Sequence, residues 1–292
     1  MAMAAPDLFV PSEETLRKSR RLLRHWLGDR LGAEDLAWLD AACRSAAAEA
    51  EPRRFYMDFS AACRHAPNAP MGLSASERSA ADRTRPGWMP GEWTAEQAAR
   101  TLVLLHRNYG LRDRWLGEVT MLFEHADLGE QVALYGALPL LPHPESLVER
   151  CAEGVRTNMT DVFKAVAHRN PFPAENLPEP AWNQMVLKAL FVEAGLAPVL
   201  GLDERSNPAL ARMLCDYAHE RWAAGRPVSP ELWRCVGPHA DEAGLEDLER
   251  ALTEGDEATK AAAVDALRRC PWPEARHILS SRGLPLPEED LP

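Results

Sequence analysis

The fold is decided by the stretch RTNMTDVFKAVAHRNPFPAENLPEPAWNQMVLKALFVE, which runs from Arg156 to Glu193. Its second half, AWNQMVLKALFVE, places apolar side chains around nearly the whole circumference of a helix that turns by about 100° per residue. A helix that is apolar on all sides is buried, so this pattern predicts a helix in the core of a helical protein. Asn183, Gln184 and Lys188 would then lie in or beside the packed interior.

Lys188 has two interpretations on such a helix. Gln184 lies one helical turn before it and is therefore adjacent on the same face. A buried ammonium is costly unless it has a partner or a lowered pKa, so the polar group either braces the core or belongs to a ligand-binding or catalytic pocket. In both cases we expect Lys188 to be largely inaccessible to water and held by Gln184 together with a carboxylate or carbonyl of a neighbouring helix.

A long helix is predicted before this one. The apolar period indicates about 24 residues of helix from Pro144 to His168, with one half of its circumference facing the core. The other half carries a row of polar side chains: Thr157, Asp161, Lys164 and His168. This row is either a solvated face with helical ion pairs or the lining of a cleft.

The sequence from Asn170 to Pro173, NPFP, ends the long helix. Proline lacks a backbone donor and disfavours the helical conformation at the residue before it. We expect an ordered turn here, with the Asn170 side chain hydrogen-bonded to nearby backbone groups. Loss of that side chain would then lower the stability by about 1 kcal/mol or more.

The remainder of the chain also has helical patterns. Capping residues predict helix starts at Ser12, Thr94 and Asp127 and at the pairs Asn207-Pro208 and Ser229-Pro230. No run alternates apolar and polar residues as a half-buried strand would. Short helices, tight turns and alanine-rich faces such as ATKAAAVDAL predict an all-α fold in which antiparallel helical hairpins stack in a HEAT-like, right-handed array.

Proline and glycine divide the chain into four predicted segments. They are N-terminal helices over residues 1–66, an irregular connection over 67–92, a central helical core over 93–240, and C-terminal HEAT-like helices with a tail over 241–292. The connection is expected to hold about one turn of helix near Ser74 to Ala81. The second helix of the first segment is expected to reach Ala50.

Composition restricts the class of function. The 292 residues carry a net charge of −11 and no cluster of basic and aromatic residues, so we do not expect a nucleic-acid partner. The six cysteines are scattered singly, which is typical of small buried residues in a reducing compartment. No run approaches the ~20 apolar residues that cross a bilayer, and the N-terminus lacks a secretory pattern, so we expect a cytoplasmic protein without a transmembrane segment.

The motifs of the common enzyme classes are not found in the sequence. The chain has no phosphate-binding glycine loop, no nucleophile elbow and no H-E-x-x-H zinc motif. Asp216, His219 and Glu220 have the helical spacing of metal ligands, but a solvated helix face explains them better. We therefore expect no metal and no cofactor.

Three parts of the sequence together resemble one family. LPLLPHPESLVERCAEGVRTNMTDVFKAVAHRNPFP, AWNQMVLKALF and NPALARMLCDYAHERWAAGRPVSPELW closely resemble the EboA family over most of Leu111 to Trp233. The resemblance implies that the gene is grouped with the genes for a membrane prenyltransferase, a sugar-phosphate cyclase, a TatD-like hydrolase, a TIM-barrel protein like xylose isomerase and a phosphodiesterase-like protein. Such a set suggests biosynthesis of a small lipid-linked or cyclitol-derived metabolite, with the family tied to processing or export of a precursor.

The resemblance supplies no established catalytic residues, but it selects candidates. The polar residues that match the family's sequence words form our candidate ligand- or partner-binding site: Arg156, Asn158, Asn170, Asn183, Gln184 and Lys188. Phe172 stands at the aromatic position of the NPFP word.

These residues are compatible with two classes of function. The first is a non-catalytic helical binding or scaffold protein of an Ebo-type biosynthesis or export pathway, which holds a small-molecule intermediate or another Ebo pathway protein and associates with the membrane prenyltransferase. The alternative is an enzyme of the same pathway with a new pocket centred on Lys188, in which the neighbouring amides orient the substrate.

Overall fold

The protein is all-helical over the residues that the structure describes. The structure is a computed structural model, and it describes residues 9–48 and 51–286. Those ranges contain 16 α-helices, several short 3-10 turns and no β-strand, which confirms the predicted all-α class. The helices are α1 (Glu13–Gly28), α2 (Ala33–Ala47), α3 (Pro52–Ala61), α4 (Ala75–Thr84), α5 (Ala95–His106), α6 (Arg112–His125), α7 (Leu128–Ala137), α8 (Val148–Arg156), α9 (Thr160–Ala167), α10 (Phe172–Asn176), α11 (Glu179–Phe191), α12 (Pro208–Ala223), α13 (Trp233–Val236), α14 (Glu242–Glu254), α15 (Glu257–Arg268) and α16 (Pro273–Ser281).

Side-chain caps begin four of the five helices whose starts the sequence predicts, whereas Ser229 makes no capping hydrogen bond and precedes only a short 3-10 turn. The Ser12 hydroxyl accepts a hydrogen bond from the Thr15 amide, and the Asn207 side chain caps α12 in the same way. Thr94 and Asp127 each form a complete capping box with the residue three positions later. Each cap satisfies an amide that has no partner within its helix, and such caps contribute about 1 kcal/mol.

The described residues form two compact units that divide between Pro178 and Glu179. In the first unit, α5 is the central helix, because nine of its twelve residues are buried. It packs against α1, α2, α3 and α7, and α7 in turn packs against α9. This arrangement places one end of α5 beside the two helices that carry the site described below.

Three buried arginines connect distant elements of the first unit. Arg107 makes two hydrogen bonds of 2.6 Å to the Glu118 carboxylate, and Arg85 binds both carboxylate oxygens of Glu175 at 2.7 and 2.5 Å. Arg100 pairs with a glutamate one turn earlier on α5 and donates to the Phe59 carbonyl at 3.3 Å. Because a buried charge without its partner is costly, these pairs restrict how the helices can pack.

The second unit contains α11 to α16. In this unit α11 packs on α12, α12 packs on α13 and α14, and α15 packs on α13, α14 and α16. Gly237 allows a close approach, because a Cβ atom there would lie 2.4 Å from the Ala266 carbonyl oxygen. No side chain fits at that crossing without a shift of the backbone.

The prediction of one continuous helix from Pro144 to His168 is wrong, because the structure interrupts it. The structure has a 3-10 turn at residues 144–146 followed by two helices, α8 and α9, and the chain between them is extended at Thr157. The Thr157 hydroxyl accepts a hydrogen bond of 3.2 Å from the Met159 amide. Threonine side chains compete in this way with helical hydrogen bonds, so the helix breaks although the apolar period continues.

The connection over residues 67–92 is more regular than expected. It contains α4, which begins with a capping box between Ser74 and Glu77 and extends to Thr84 rather than for a single turn. The predicted end of α2 at Ala50, the segment before Phe9 and the tail beyond Leu286 lie outside the described residues. In the described ranges, no helix is long and apolar enough to cross a lipid bilayer.

Candidate functional site

The candidate site is a cavity of about 450 Å³ in the first unit. Its walls come from the start of α5, from α7 and α9, and from the residues that precede α5 and follow α9. The residues that line it are Asn68, Met89, Glu92, Trp93, Thr94, Glu96, Gln97, Leu128, Gly129, Val132, Gly136, Asp161, Lys164, Ala165, His168, Arg169 and Asn170. This volume lies within the range of about 300–1,000 Å³ that small-molecule pockets have.

Two glycines of α7 make room for the cavity, because they carry no side chain that would fill it. Gly129 and Gly136 are two helical turns apart and, with Val132, share the face that lines the cavity. A Cβ atom at Gly136 would lie 3.6 Å from both Gln97 Nε2 and Trp93 Cζ2. A longer side chain at Gly136 would therefore project into the cavity.

The start of α5 supplies an aromatic wall and an amide. The Thr94 hydroxyl accepts a hydrogen bond of 3.1 Å from the Gln97 amide, and Gln97 Oε1 accepts one of 3.2 Å from the Thr94 amide. This capping box holds the Gln97 side chain in place, with Nε2 directed to the face of Gly136. The indole of Trp93, half-buried beside it, forms part of the apolar wall.

The charged groups of the lining differ in their partners. Arg169 Nη1 donates to Glu92 Oε2 at 2.7 Å, and Glu96 is paired with Arg100. Asp161 and Lys164, on the face of α9 that lines the cavity, have no ionic or hydrogen-bonding side-chain partner among the described residues. The cavity therefore presents one carboxylate and one ammonium that a ligand could neutralise.

Asn170 fixes the helix ends at the back of the cavity. Its Nδ2 donates to the Tyr135 carbonyl at 3.0 Å and to the Ala165 carbonyl at 2.9 Å, and its Oδ1 accepts from the Phe172 amide at 3.0 Å. These groups belong to the last turns of α7 and α9 and to the first residue of α10, where helices leave backbone groups unpaired. The predicted bonding of Asn170 to nearby backbone is confirmed.

The other two predicted residues of the first unit lie apart from this arrangement. Arg156 is exposed at the end of α8 and pairs with Glu149 at 2.8 Å. Asn158 is exposed in the extended link between α8 and α9. Neither residue lines the cavity, and of the predicted set only Asn170 does.

The three predicted residues of the second unit have different surroundings. Asn183 is buried and exchanges two amide hydrogen bonds with Asn207, of 3.2 and 2.9 Å. Asn207 in turn caps α12 through the Leu210 amide. The structure thus supports the core-bracing interpretation for Asn183.

The expectation of a completely buried α11 is wrong. The helix buries one stripe, Trp182, Met185, Val186, Ala189 and Leu190. Gln184 is exposed and makes no hydrogen bond with a described residue, so it does not hold Lys188, which is half-buried. Phe191 is 73% exposed. The physical reason is that apolar side chains outside a buried stripe are tolerated at a protein surface.

Partial burial affects the acid-base behaviour of Lys188. Desolvation lowers the pKa of its ammonium below the ordinary value for lysine, because burial disfavours the charged form. Lys188 lies outside the lining of the cavity at α5, α7 and α9.

A second cavity, of about 640 Å³ and more open, lies in the second unit. It is lined by Pro230, Glu231, Arg234, Ala262, Asp265, Ala266, Arg268 and Arg269. Two of its arginines are bound to one carboxylate, Asp203, at 2.5 Å from Arg234 and 3.2 Å from Arg269. The Glu231 carboxylate accepts hydrogen bonds from the Leu196 and Ala197 amides. Glu231, Arg234 and Arg269 therefore already have partners within the protein.

The acidic, histidine and cysteine side chains bear on whether the protein could hold a metal ion. Within it, no three His, Cys, Asp or Glu side chains are grouped closely enough to hold a metal ion. His219, one of the residues with ligand-like spacing, instead contacts the Asp247 carboxylate at 2.6 Å.

Most residues that line the cavity were not predicted from the sequence, although the polar row on α9 gave one indication of it. The alternative interpretation of the polar row on α9, as the lining of a cleft, agrees with the position of Asp161, Lys164 and His168, while Thr157 lies outside the lining. Trp93, Gln97 and Gly136 were not candidates, because nothing in their local sequence indicates that α5 and α7 meet α9.

The fold and the site define a class of protein: a helical protein with a cavity large enough for a small molecule. The model of one protein family, described as metabolite traffic protein EboA, matches residues 19–237 of the 292. The chain therefore belongs to the EboA family, and the family description connects it with a metabolite pathway. No curated protein and no solved structure matches the chain.

Proposed function

We propose that this EboA-family chain is a non-catalytic binding protein that holds a small-molecule intermediate of an Ebo-type biosynthesis or export pathway. The observation that carries the proposal is the cavity of about 450 Å³ at α5, α7 and α9. The family's description as a metabolite traffic protein supports a ligand of small-molecule size.

The composition of the lining supports retention of a ligand. Trp93, Met89 and Leu128 offer apolar contacts, while Gln97 and the charged groups of α9 offer donors and acceptors. Pockets that bind small molecules combine a mainly apolar wall with a few placed polar groups. The bonds of Asn170 to three helix ends keep this wall formed without a ligand, which lowers the entropic cost of binding.

The proposal can be tested by filling the cavity. Immobilised wild-type protein and the variant Gly136→Leu are incubated with an extract of the producing cells, and the retained small molecules are identified by mass spectrometry. Ala165→Leu, which fills the cavity from α9, serves as a second variant. Gly117→Leu is the matched control, because a Cβ atom at Gly117 on α6 meets nothing within 4 Å.

We expect wild type and Gly117→Leu to retain a compound that both cavity-filling variants and the bare resin lose. Circular dichroism verifies that each variant is folded. Equal retention by the cavity-filling variants, or no compound retained by wild type beyond the bare resin, would contradict the proposal.

Further features of the function belong to the same proposal. We propose that the protein works in the cytoplasm with other Ebo pathway proteins, including the membrane prenyltransferase, to which it would deliver or from which it would receive the ligand. We also propose the HEAT-like, right-handed stacking of helical hairpins within the segment boundaries at residues 67, 93 and 241. An experimental structure with a bound partner would test the choice of partner and the stacking of the helical hairpins.

The alternative, an enzyme of the pathway with its reaction centre at Lys188, has one supporting observation. Partial burial lowers the pKa of Lys188, which increases the fraction of neutral, nucleophilic amine. Lys188→Met should then fold normally but stop metabolite production, whereas the binding proposal predicts that it still retains the ligand. Loss of production with retention unchanged would favour the enzyme.

A further inference from the structure

We infer that the cavity of the first unit takes a zwitterionic small molecule with an apolar body, whose cationic group meets Asp161 and whose anionic group meets Lys164. This inference rests on the proposed function and names the class of ligand. It follows from the charges that the cavity leaves unneutralised and from the position of its apolar residues.

The first step is the balance of charge in the lining. Glu92 is neutralised by Arg169 at 2.7 Å, and Glu96 is neutralised by the buried Arg100. Asp161 and Lys164 remain as one negative and one positive group without ionic partners among the described residues. A ligand with a single charge would pair with only one of these two groups, whereas a ligand with both charges would pair with each.

The second step is the geometry of these two groups. Asp161 and Lys164 are separated by three positions on α9, so their Cβ atoms lie about 5–6 Å apart on one face. The spacing would permit a direct ion pair, but the two side chains do not form one and both reach the cavity. A ligand whose opposite charges are a few bonds apart, as in an α-amino acid, fits between them.

The third step is the position of the apolar residues. Met89 and Leu128 line the cavity yet are 44% and 47% exposed, so they form an apolar lip at its mouth. Trp93 continues this surface inward. The apolar body of the ligand would lie against the indole and the lip, where it removes exposed hydrophobic surface from water.

Three probes with the same body separate the charge requirements. Binding of L-phenylalanine, phenethylamine and 3-phenylpropanoate, which are a zwitterion, a cation and an anion, is measured by titration calorimetry at pH 7 on the full chain. Because both side chains are exposed, each charge contact should contribute modestly, about 1.5-fold to fivefold in affinity. We therefore expect L-phenylalanine to bind tighter than either singly charged probe.

Charge-removing variants assign each contact. Asp161→Asn should abolish the advantage of L-phenylalanine over 3-phenylpropanoate, and Lys164→Gln should abolish its advantage over phenethylamine. Asp216→Asn and Lys260→Gln remove the same charges outside the lining of the cavity, at an exposed position on α12 and a half-buried one on α15, and they should change no affinity.

The outcomes separate this inference from the proposed function. It is overturned if no probe binds, if the zwitterion has no advantage, or if the two α9 variants weaken all probes equally. Such a result together with ligand retention that Gly136→Leu abolishes would leave the binding function standing and reject only the zwitterionic class.

Discussion

Replacement of Asn170 by alanine is the sharpest test of how this cavity is built. The Asn170 side chain is 3% exposed and makes three hydrogen bonds to backbone groups. Its acceptors are the Tyr135 and Ala165 carbonyls at the ends of α7 and α9, and its donor is the Phe172 amide at the start of α10. Asn170→Ala leaves these three groups without the partner that the structure provides.

The magnitude follows from the number of bonds lost. A net contribution of about 0.5–1.5 kcal/mol for each hydrogen bond gives roughly 1.5–4.5 kcal/mol for three. Because Asn170 borders the cavity, water can replace part of the lost bonding, which moves the expectation to the middle of that range. We expect the free energy of unfolding to fall by about 2–4 kcal/mol.

Urea unfolding followed by far-UV circular dichroism measures this difference. Asn158→Ala is the control, because Asn158 is an exposed asparagine of the same family word without a hydrogen bond to a described residue, and it should change stability by less than about 0.5 kcal/mol. The midpoint should shift without a change in the denaturant slope. Equal stabilities of the two variants would refute the view that Asn170 joins three helix ends.

Three further predictions test other parts of the structure. Gly154→Ala should destabilise by about 1–3 kcal/mol in urea unfolding, because the new Cβ would lie 2.5 Å from the Tyr135 ring, whereas Gly117→Ala should be neutral or stabilising. Arg107→Met should cost about 3–5 kcal/mol because it leaves the buried Glu118 without its main partner; if adding Glu118→Leu restores none of the loss, the buried-charge explanation is wrong. Asp203→Asn should lower stability at pH 7 by no more than about 1 kcal/mol, since the pair with Arg234 is partly exposed. Its hydrogen bond from Arg234 lowers the Asp203 pKa from 3.8 to about 2, so the difference should shrink as pH falls through that window, and a constant difference would contradict it.

The sequence by itself determined the helical class and where most helices begin. An N-cap is a contact between residues three positions apart, so Ser12, Thr94 and Asp127 could be identified without knowledge of the rest of the chain. The NPFP turn was predictable for the same reason, since the limits that proline imposes and the bonding of Asn170 within its own turn are local. Ser74 shows the limit of this approach: a turn of helix was predicted there, but the surrounding prolines and glycines did not indicate that the helix would extend to Thr84.

Only the tertiary structure decided burial and the site. The apolar residues of α11 could not show which stripe would be covered, and so Gln184 and Phe191 proved exposed. The cavity brings the start of α5 together with α7 and α9, where Gly136 gains its role only because Trp93 and Gln97 stand opposite. Contacts between residues far apart in sequence depend on how whole helices pack, which the period of one helix does not encode.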